Sequence, residues 1–360
     1  MRALARIALL ASISLVIAAT GERATGGRPA SDATIEELTL EQQVGQLILL
    51  SFRGTTVPEY VREALRERRV AGVILFSGNI TSRGQLRTLT RALRETGSRP
   101  IVAVDQEGGK VRRIPWAPPF ASPADQVAAG TVLSESASAA RALRAAGITV
   151  TLAPVADVPS AGGAALGFRA FSRDPAVAIR AVTAAVAGWR SGGVAPAVKH
   201  FPGLGGATVN TDSGEVTITR TRAQLDATDL PPFEAAIRVG VPLVMLGHAR
   251  YPALDRARIA SQSRKIVVGL LRERLGFRGV VVTDSMEARA SLATGSITRV
   301  SERAVRAGAD LILLTGRGSY APVYTHLLAV AKRSPALRAR VRESASRVLA
   351  LKQRGGKAPR

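Results

Sequence analysis

Charged and polar residues follow short apolar runs at five places in this 360-residue chain. The five places are Asp105–Gly109, Arg169, Lys199–Gly203, Gly247–His248 and Thr283–Ser285. Carboxylates beside lysine, arginine and histidine can hold a polar substrate through charge-assisted hydrogen bonds. A carboxylate can also attack as a nucleophile or transfer a proton. A lone charge in such a place can be half of a structural ion pair, but five similar sites favour a functional cluster.

Eight apolar runs must position these residues, and each has the composition of a buried parallel strand. They are short, largely continuous and often β-branched, as expected where both faces of a strand are covered. The runs are Val44–Phe52, Val70–Phe76, Ile101–Asp105, Ile148–Val155, Val194–His200, Val241–Gly247, Val280–Asp284 and Ala309–Thr315.

Amphipathic segments between the runs predict helices, and several of them end at a glycine, the residue preferred just after a helix C-terminus. The predicted helices are Pro58–Arg69, Gln85–Glu95, Ser134–Ala146, Pro175–Ser191 and Ser263–Leu275. The closing glycines are Gly147, Gly193, Gly240 and Gly276. Two more helical segments, near Tyr320–Lys332 and Ala336–Gln353, follow the last apolar run.

Eight such β-α units in about 320 residues predict one α/β domain, a closed (β/α)8 TIM barrel. The alternative is an open, doubly wound sheet that binds a nucleotide. That alternative is disfavoured because Ser51–Gly54, after the first run, is not a glycine-rich phosphate loop. In a barrel the carboxyl ends of all strands meet at one mouth, where catalytic residues lie. The five polar sites would then share one pocket.

The composition suits a large globular domain with a strongly basic surface. Hydrophobic residues make up 46% of the chain and charged residues 21%, and the formal net charge is +23. Such an excess suggests attraction to polyanions. One interpretation is a solvated arginine-rich surface, and the other is affinity for anionic polymers of the cell envelope or for lipid headgroups. Nucleic acid is disfavoured, because the arginines are scattered and aromatics are only 4%. There is no cysteine, so disulfides and cysteine metal sites are excluded.

Residues 1–30 are interpreted as an export segment followed by a linker. Arg2 and Arg6 precede the apolar stretch Ile7–Ala19, which has signal-peptide length and is short for a membrane span. Cleavage after about Thr20 is one outcome and an uncleaved anchor is the other. Gly21–Ala30 is rich in glycine and alanine. The prediction is an exported protein, secreted, periplasmic or membrane-anchored, with its barrel at residues 31–355.

Five segments of the barrel resemble glycoside hydrolase family 3, in particular the single-domain bacterial β-N-acetylhexosaminidases of peptidoglycan turnover. The segments are Leu38–Gln42, Val104–Val111, Gly167–Phe171, Lys199–Gly203 and Leu270–Asp284. The resemblance extends over nearly the whole chain after the export segment. It implies a (β/α)8 barrel and a retaining, exo-acting β-glycosidase that needs neither a metal nor an organic cofactor, since two carboxyl-type groups suffice.

The resemblance also implies a role for each of five residues. Asp284 matches the carboxylate that attacks the anomeric carbon and forms a covalent glycosyl-enzyme. Asp105 is similar to the carboxylate that accepts hydrogen bonds from sugar hydroxyls. Arg169, Lys199 and His200 resemble the donors that hold the innermost sugar.

The proton donor departs from the family pattern. Members of this type carry Asp-Ser-His in the loop after the fifth strand, and that histidine is the acid/base. Here glycine, Gly214, stands at the place of the histidine, and it cannot transfer a proton. The candidates for the acid are Asp212 and Glu215, with Glu107 more remote. The alternative is a catalytically impaired barrel that binds envelope glycans without cleaving them.

Overall fold

The structure is a computed structural model, and it describes residues 34–160 and 165–354. The export segment and linker predicted at residues 1–30 lie outside the described residues. Within the described ranges no helix is long and apolar enough to cross a membrane.

Eight parallel strands close into a barrel, which confirms the predicted (β/α)8 fold. The strands are β1 Ile48–Ser51, β2 Gly72–Leu75, β3 Ile101–Val104, β4 Val150–Thr151, β5 Ala195–Phe201, β6 Leu243–Leu246, β7 Val280–Ser285 and β8 Leu311–Leu314. Each strand pairs with its neighbours in the chain, and β8 pairs with β1 to close the ring. The open-sheet alternative is therefore wrong.

The helices pack around the barrel largely where the periodicity predicts them. The α-helices of six or more residues are Leu40–Gly45, Glu59–Arg66, Arg83–Arg94, Pro123–Ala128, Val132–Ala145, Pro175–Ser191, Leu230–Arg238, Ile297–Ala307, Tyr320–Arg333 and Pro335–Arg354. The helix Pro175–Ser191 has both predicted ends. Asp174 caps it, since its Oδ1 accepts the amide of Ala176 at 2.8 Å, and Pro175 occupies the first turn.

Two predicted elements differ from the observed ones. The first predicted strand begins at Val44, but Val44 lies in the helix Leu40–Gly45 and β1 begins only at Ile48. The hydroxyl of Thr39 accepts the amide of Gln42 at 3.3 Å and so caps that helix. The segment Lys265–Arg274 is wound as a π-helix rather than an α-helix.

One apolar cluster fills the inside of the barrel, and a larger one lies between strands and helices. The inner cluster takes a side chain such as Leu49, Ile74, Met245 or Leu313 from each strand. Burying an aliphatic side chain of this kind stabilises the fold by roughly 1.5–3 kcal/mol. Leu351 of the last helix belongs to the same cluster. The helix Pro335–Arg354 therefore covers one end of the barrel, and the polar residues lie at the other.

The four glycines predicted to end helices all have positive φ. Gly147 and Gly193, with φ of 85° and 81°, come just after Val132–Ala145 and Pro175–Ser191 and turn the chain towards β4 and β5. A side chain at either position would also strike an arginine from a neighbouring helix. Sharp turns of this kind keep the connections short, so the strand ends stay in register at the mouth.

Candidate active site

A cavity of about 510 Å³ opens at the carboxyl ends of the strands. Its volume falls within the roughly 300–1,000 Å³ typical of small-molecule sites. Six of the seven predicted site residues line it: Asp105, Arg169, Lys199, His200, Asp212 and Asp284. The seventh, Glu215, is exposed and is not among the lining residues. The strand-end pattern in the sequence therefore does mark one pocket.

Lys199 forms the centre of the cavity floor. Its Nζ lies 2.8 Å from Asp105 Oδ1 and 2.7 Å from Glu107 Oε1, and its side chain is almost fully buried. The pairing of β5 with β6 shifts register between Val198 and Phe201, an irregularity that re-aims side chains next to active sites. Burial opposes the charge of Lys199, but the two carboxylates outweigh it and raise the pKa of the ammonium group.

Glu107 is held by two cations and stays ionised. Arg169 donates to it through both Nε and Nη2, each at 2.8 Å, in a bidentate pair. Burial favours the neutral acid, but Lys199 and Arg169 outweigh it and lower the pKa of Glu107 to about 2. A group with that pKa holds no proton to give near neutral pH. Glu107 is therefore disfavoured as the proton donor, and its bonds orient Lys199 and Arg169.

His200 is oriented by Asp157, a buried residue that the sequence analysis did not single out. The Nδ1 of His200 lies 2.7 Å from Asp157 Oδ2. The same carboxylate accepts the backbone amides of His200 and Leu204, the latter at 2.6 Å. Nε2 then faces the cavity, 3.5 Å from Arg169 Nη2 and 3.9 Å from Asp284 Oδ2. Asp157 comes just after the fourth apolar run. The rule that polar residues at strand ends mark the site could therefore have identified it.

Asp284 lies at the end of β7 with its side chain 21% exposed to the cavity. Its Oδ1 accepts the amide of Ser285 at 2.8 Å. Burial raises the pKa of this carboxyl, but His200, His248 and Lys199 outweigh it, so the pKa lies below its ordinary value. Asp284 is therefore ionised near neutral pH, which is the state that a nucleophile needs.

His248 is hydrogen-bonded to the end of β7. Its Nε2 lies 2.8 Å from the carbonyl oxygen of Ser285, and its Nδ1 lies 2.8 Å from Ser261 Oγ. Because a carbonyl only accepts, Nε2 carries the proton and Nδ1 accepts from the serine. Burial lowers the pKa of His248 despite the nearby charge of Asp284.

The loop with Asp212 is anchored to the segment that follows β7. The amide of Arg289 donates to the carbonyl of Asp212 at 3.3 Å, and that of Ala290 to the carbonyl of Thr211 at 3.1 Å. Asn210 Oδ1 accepts the amide of Asp212 at 3.0 Å. These bonds place Asp212 on the rim of the cavity, on the Asp284 side. Asp212 is an exposed rim residue, but partial desolvation by the cavity wall and the charge of Asp284 together raise the pKa of its carboxyl.

Two further cavity residues escaped the sequence analysis. Arg113 Nη2 lies 3.5 Å from Asp105 Oδ2, and its guanidinium lies 5.6 Å from the centre of the Phe76 ring. Phe168 lines the cavity and is about half exposed, and Lys110 Nζ lies 5.3 Å from its ring centre. Within the described ranges, no group of three or more histidines and carboxylates is arranged to hold a metal ion.

The model of the glycosyl hydrolase family 3 N-terminal domain matches residues 39–351. The chain belongs to glycoside hydrolase family 3. Its barrel and enzyme class, a hydrolase of glycosidic bonds, are thereby confirmed. The match covers most of the domain predicted at residues 31–355, whose exact limits stay a prediction.

Curated relatives and solved structures agree with this assignment. An uncharacterized secreted glycosyl hydrolase of Arthroderma benhamiae is 33% identical over 88% of this chain and 94% of its own. A beta-hexosaminidase of Xanthomonas oryzae pv. oryzae is 34% identical over 74% and 83%. The beta-N-acetylhexosaminidase of Beutenbergia cavernae superposes with a TM-score of 0.81 at 34% identity, over 88% of this chain and 99% of its own.

A family 3 beta-N-acetylglucosaminidase from Paenibacillus sp. superposes with a TM-score of 0.85 at 33% identity. It matches 88% of this chain, but this chain covers only 63% of it. The family 3 barrel is therefore found in proteins of different length.

Proposed function

We propose that this family 3 enzyme is an exported, exo-acting, retaining β-N-acetylhexosaminidase that acts on cell-envelope glycans in peptidoglycan turnover. The observation that carries the proposal is the position of Asp284. Its ionised carboxylate faces a cavity that is also lined by the charged and polar side chains of Asp105, Arg169, Lys199 and His200. The preference for an N-acetyl sugar rests on the names of the relatives.

Asp284 and Asp212 would divide the two steps of a retaining mechanism. In the first step a carboxylate oxygen of Asp284 bonds to the anomeric carbon. The bond from that carbon to the leaving oxygen breaks, and Asp212 gives this oxygen its proton. In the second step Asp212 takes a proton from water, whose oxygen bonds to the anomeric carbon and releases Asp284. The raised pKa of Asp212 and the lowered pKa of Asp284 fit these opposite roles.

The sugar hydroxyls would meet Asp105, Lys199, Arg169 and His200. The ion pairs of Lys199 and Arg169 with carboxylates fix these side chains before the sugar arrives. A site that is already ordered loses less side-chain entropy on binding, and so the sugar binds more tightly. One wall of the cavity also offers the exposed ring of Phe168 to the apolar face of a sugar.

Export and the envelope as the site of action are supported by two features. One is the apolar run behind Arg2 and Arg6, and the other is the secreted glycosyl hydrolase of A. benhamiae among the relatives. The net charge of +23 adds attraction to anionic envelope polymers, which would hold the enzyme near its substrate.

A panel of aryl β-glycosides tests the proposed activity. Protein lacking the first 30 residues is assayed with the N-acetylglucosaminide, the glucoside and the xyloside of 4-nitrophenol. The N-acetylglucosaminide should give the highest kcat/KM, and the released sugar should first appear as the β-anomer. A preference for another sugar would overturn the N-acetyl assignment, and an initial α-anomer would overturn the retaining mechanism.

One observation favours a second candidate, a barrel that binds envelope glycans without cleaving them. The acid/base histidine of the Asp-Ser-His motif is absent, and Gly214 stands in its place. The space around Gly214 is open, since a Cβ added there meets no atom within 4 Å. If the parent cleaves no glycoside and Gly214→His restores cleavage, the binding function becomes the better account.

A further inference from the structure

A second cavity of about 430 Å³ lies on the same face of the barrel as the candidate active site. It opens at the carboxyl ends of β1 and β8, and Thr315 lines both cavities. Thr315 is held from two sides: its carbonyl accepts from Ser51 Oγ at 2.9 Å, and its amide donates to Glu287 Oε2 at 2.9 Å. The two cavities are therefore neighbours across a fixed residue.

The lining of this second cavity combines aromatic rings with arginines. Tyr60, which is 50% exposed, and Tyr320 contribute rings, and Arg53 and Arg317 contribute guanidinium groups. No aspartate or glutamate is among the lining residues, and no ion pair within the described ranges involves either arginine. A tyrosine ring offers an apolar face and a polar tip, and arginine is the side chain best suited to bind a carboxylate.

The strand positions of the active-site residues indicate the direction in which a leaving group extends. The sugar-binding charges come from the ends of β3 and β5 and the loop after β4. The nucleophile Asp284 ends β7, and the loop of Asp212 is bonded to the segment just after β7. The scissile bond therefore lies on the β7 side, and the leaving group extends from it away from the sugar floor. The next strands around the ring are β8 and β1.

We propose that the cavity at β1 and β8 is the leaving-group subsite, and that Arg53 and Arg317 select a leaving group that carries a carboxylate. This proposal rests on the proposed hexosaminidase function. The tyrosine rings would pack on the ring of the leaving group, and the two guanidinium groups would pair with its acidic substituent. A neutral leaving group would leave both arginines without a partner.

Two aryl β-N-acetylglucosaminides test the charge preference. Both release a 4-nitrophenol; one carries a carboxylate beside the nitro group, and the other carries the carboxamide of the same shape. The parent enzyme should prefer the carboxylate in kcat/KM by about 3- to 30-fold, the range expected for two partly exposed ion pairs. The preference should fall as ionic strength rises. The variant Arg53→Gln/Arg317→Gln should bring the ratio close to one.

The control variant is Arg333→Gln, which removes an exposed charge at the C-terminal end of the helix Tyr320–Arg333. Because that helix begins beside the second cavity, Arg333 lies far from both cavities and should leave the ratio unchanged. If the parent cleaves both substrates equally well, the subsite is wrong and the hexosaminidase function stands. The subsite is also wrong if Arg333→Gln lowers the ratio as much as the double variant. If the parent cleaves neither substrate, the proposed function fails.

Discussion

Asp212→Asn should slow cleavage of glycosides with basic leaving groups far more than cleavage of activated ones. The variant keeps the size and shape of the side chain, and so keeps the loop bonds to Arg289 and Ala290, which use backbone atoms. It removes the proton that the leaving oxygen needs. A leaving group such as dinitrophenol departs without that proton, so its release should change little.

The size of the effect follows from the position of Asp212. General acid catalysis contributes typically about 10²- to 10⁴-fold, which corresponds to roughly 2.7–5.4 kcal/mol of transition-state stabilisation. The side chain of Asp212 is exposed at the rim of the cavity, where solvent screens its interactions. We therefore expect the lower part of this range, a loss of about 10²- to 10³-fold in kcat/KM for methylumbelliferyl or disaccharide substrates.

The assay is a series of aryl N-acetylglucosaminides whose phenols span a range of pKa. For Asp212→Asn the logarithm of kcat/KM should fall steeply as the phenol pKa rises, and for the parent it should fall only weakly. Added azide should raise kcat of the variant and yield a β-glycosyl azide. The loop supplies a matched control in Glu215→Gln, an exposed carboxylate three residues away that does not line the cavity.

Two results would refute this assignment. If Glu215→Gln acquires the steep dependence and Asp212→Asn does not, Glu215 is the acid and the loop moves when substrate binds. If neither variant differs from an active parent, the proton comes from a group outside this loop.

The remaining predictions concern the groups around the two aspartates. Glu107→Gln leaves Lys199 and Arg169 short of a buried counter-charge, so chemical denaturation should show a loss of about 3–5 kcal/mol in the free energy of unfolding. Because folding depresses the pKa of Glu107 to about 2, its contribution to stability is present above its ordinary pKa and is lost as pH falls towards 2, which parent-minus-variant unfolding curves would show. Asp157→Asn should lower kcat/KM by roughly 10-fold or more without changing the leaving-group dependence, since it disturbs His200 and the backbone at Leu204 but not the proton donor. In the parent, kcat/KM should decline as pH rises above the raised pKa of Asp212, because the acid loses its proton. Asp212→Asn should remove this alkaline decline. If the decline persists in the variant, another group causes it.

The sequence predicts the barrel and most of the cavity for a simple physical reason. Buried parallel strands are apolar on both faces, so their ends are visible as the points where polar residues begin. In a closed barrel all those points meet at one mouth. That reasoning places Asp105, Lys199, His200 and Asp284 in one pocket before any coordinates are known, and the structure agrees.

Contacts between distant segments account for what the sequence could not predict. Asp157 is hydrogen-bonded to His200, which lies 43 residues further along the chain. No sequence feature near Asp157 identifies His200 as its partner. The loop residues Asp212 and Glu215 both carry a carboxyl group, so the sequence does not show which of them reaches the cavity. Hydrogen bonds between the loop and the segment after β7 place Asp212 there. The helix at Val44 is the exception, because the signal that starts it is local: Thr39 and Gln42 form a capping box that is present in the sequence.

Trapping of the glycosyl-enzyme tests the central claim most directly. A 5-fluoro N-acetylglucosaminide with an activated leaving group is incubated with the enzyme, which is then digested and mapped by mass spectrometry. The account predicts one glycosyl label, on the peptide that carries Asp284, and no label on the folded variant Asp284→Asn. A label on Asp105, Glu107 or Asp212, or undiminished labelling of Asp284→Asn, would contradict it.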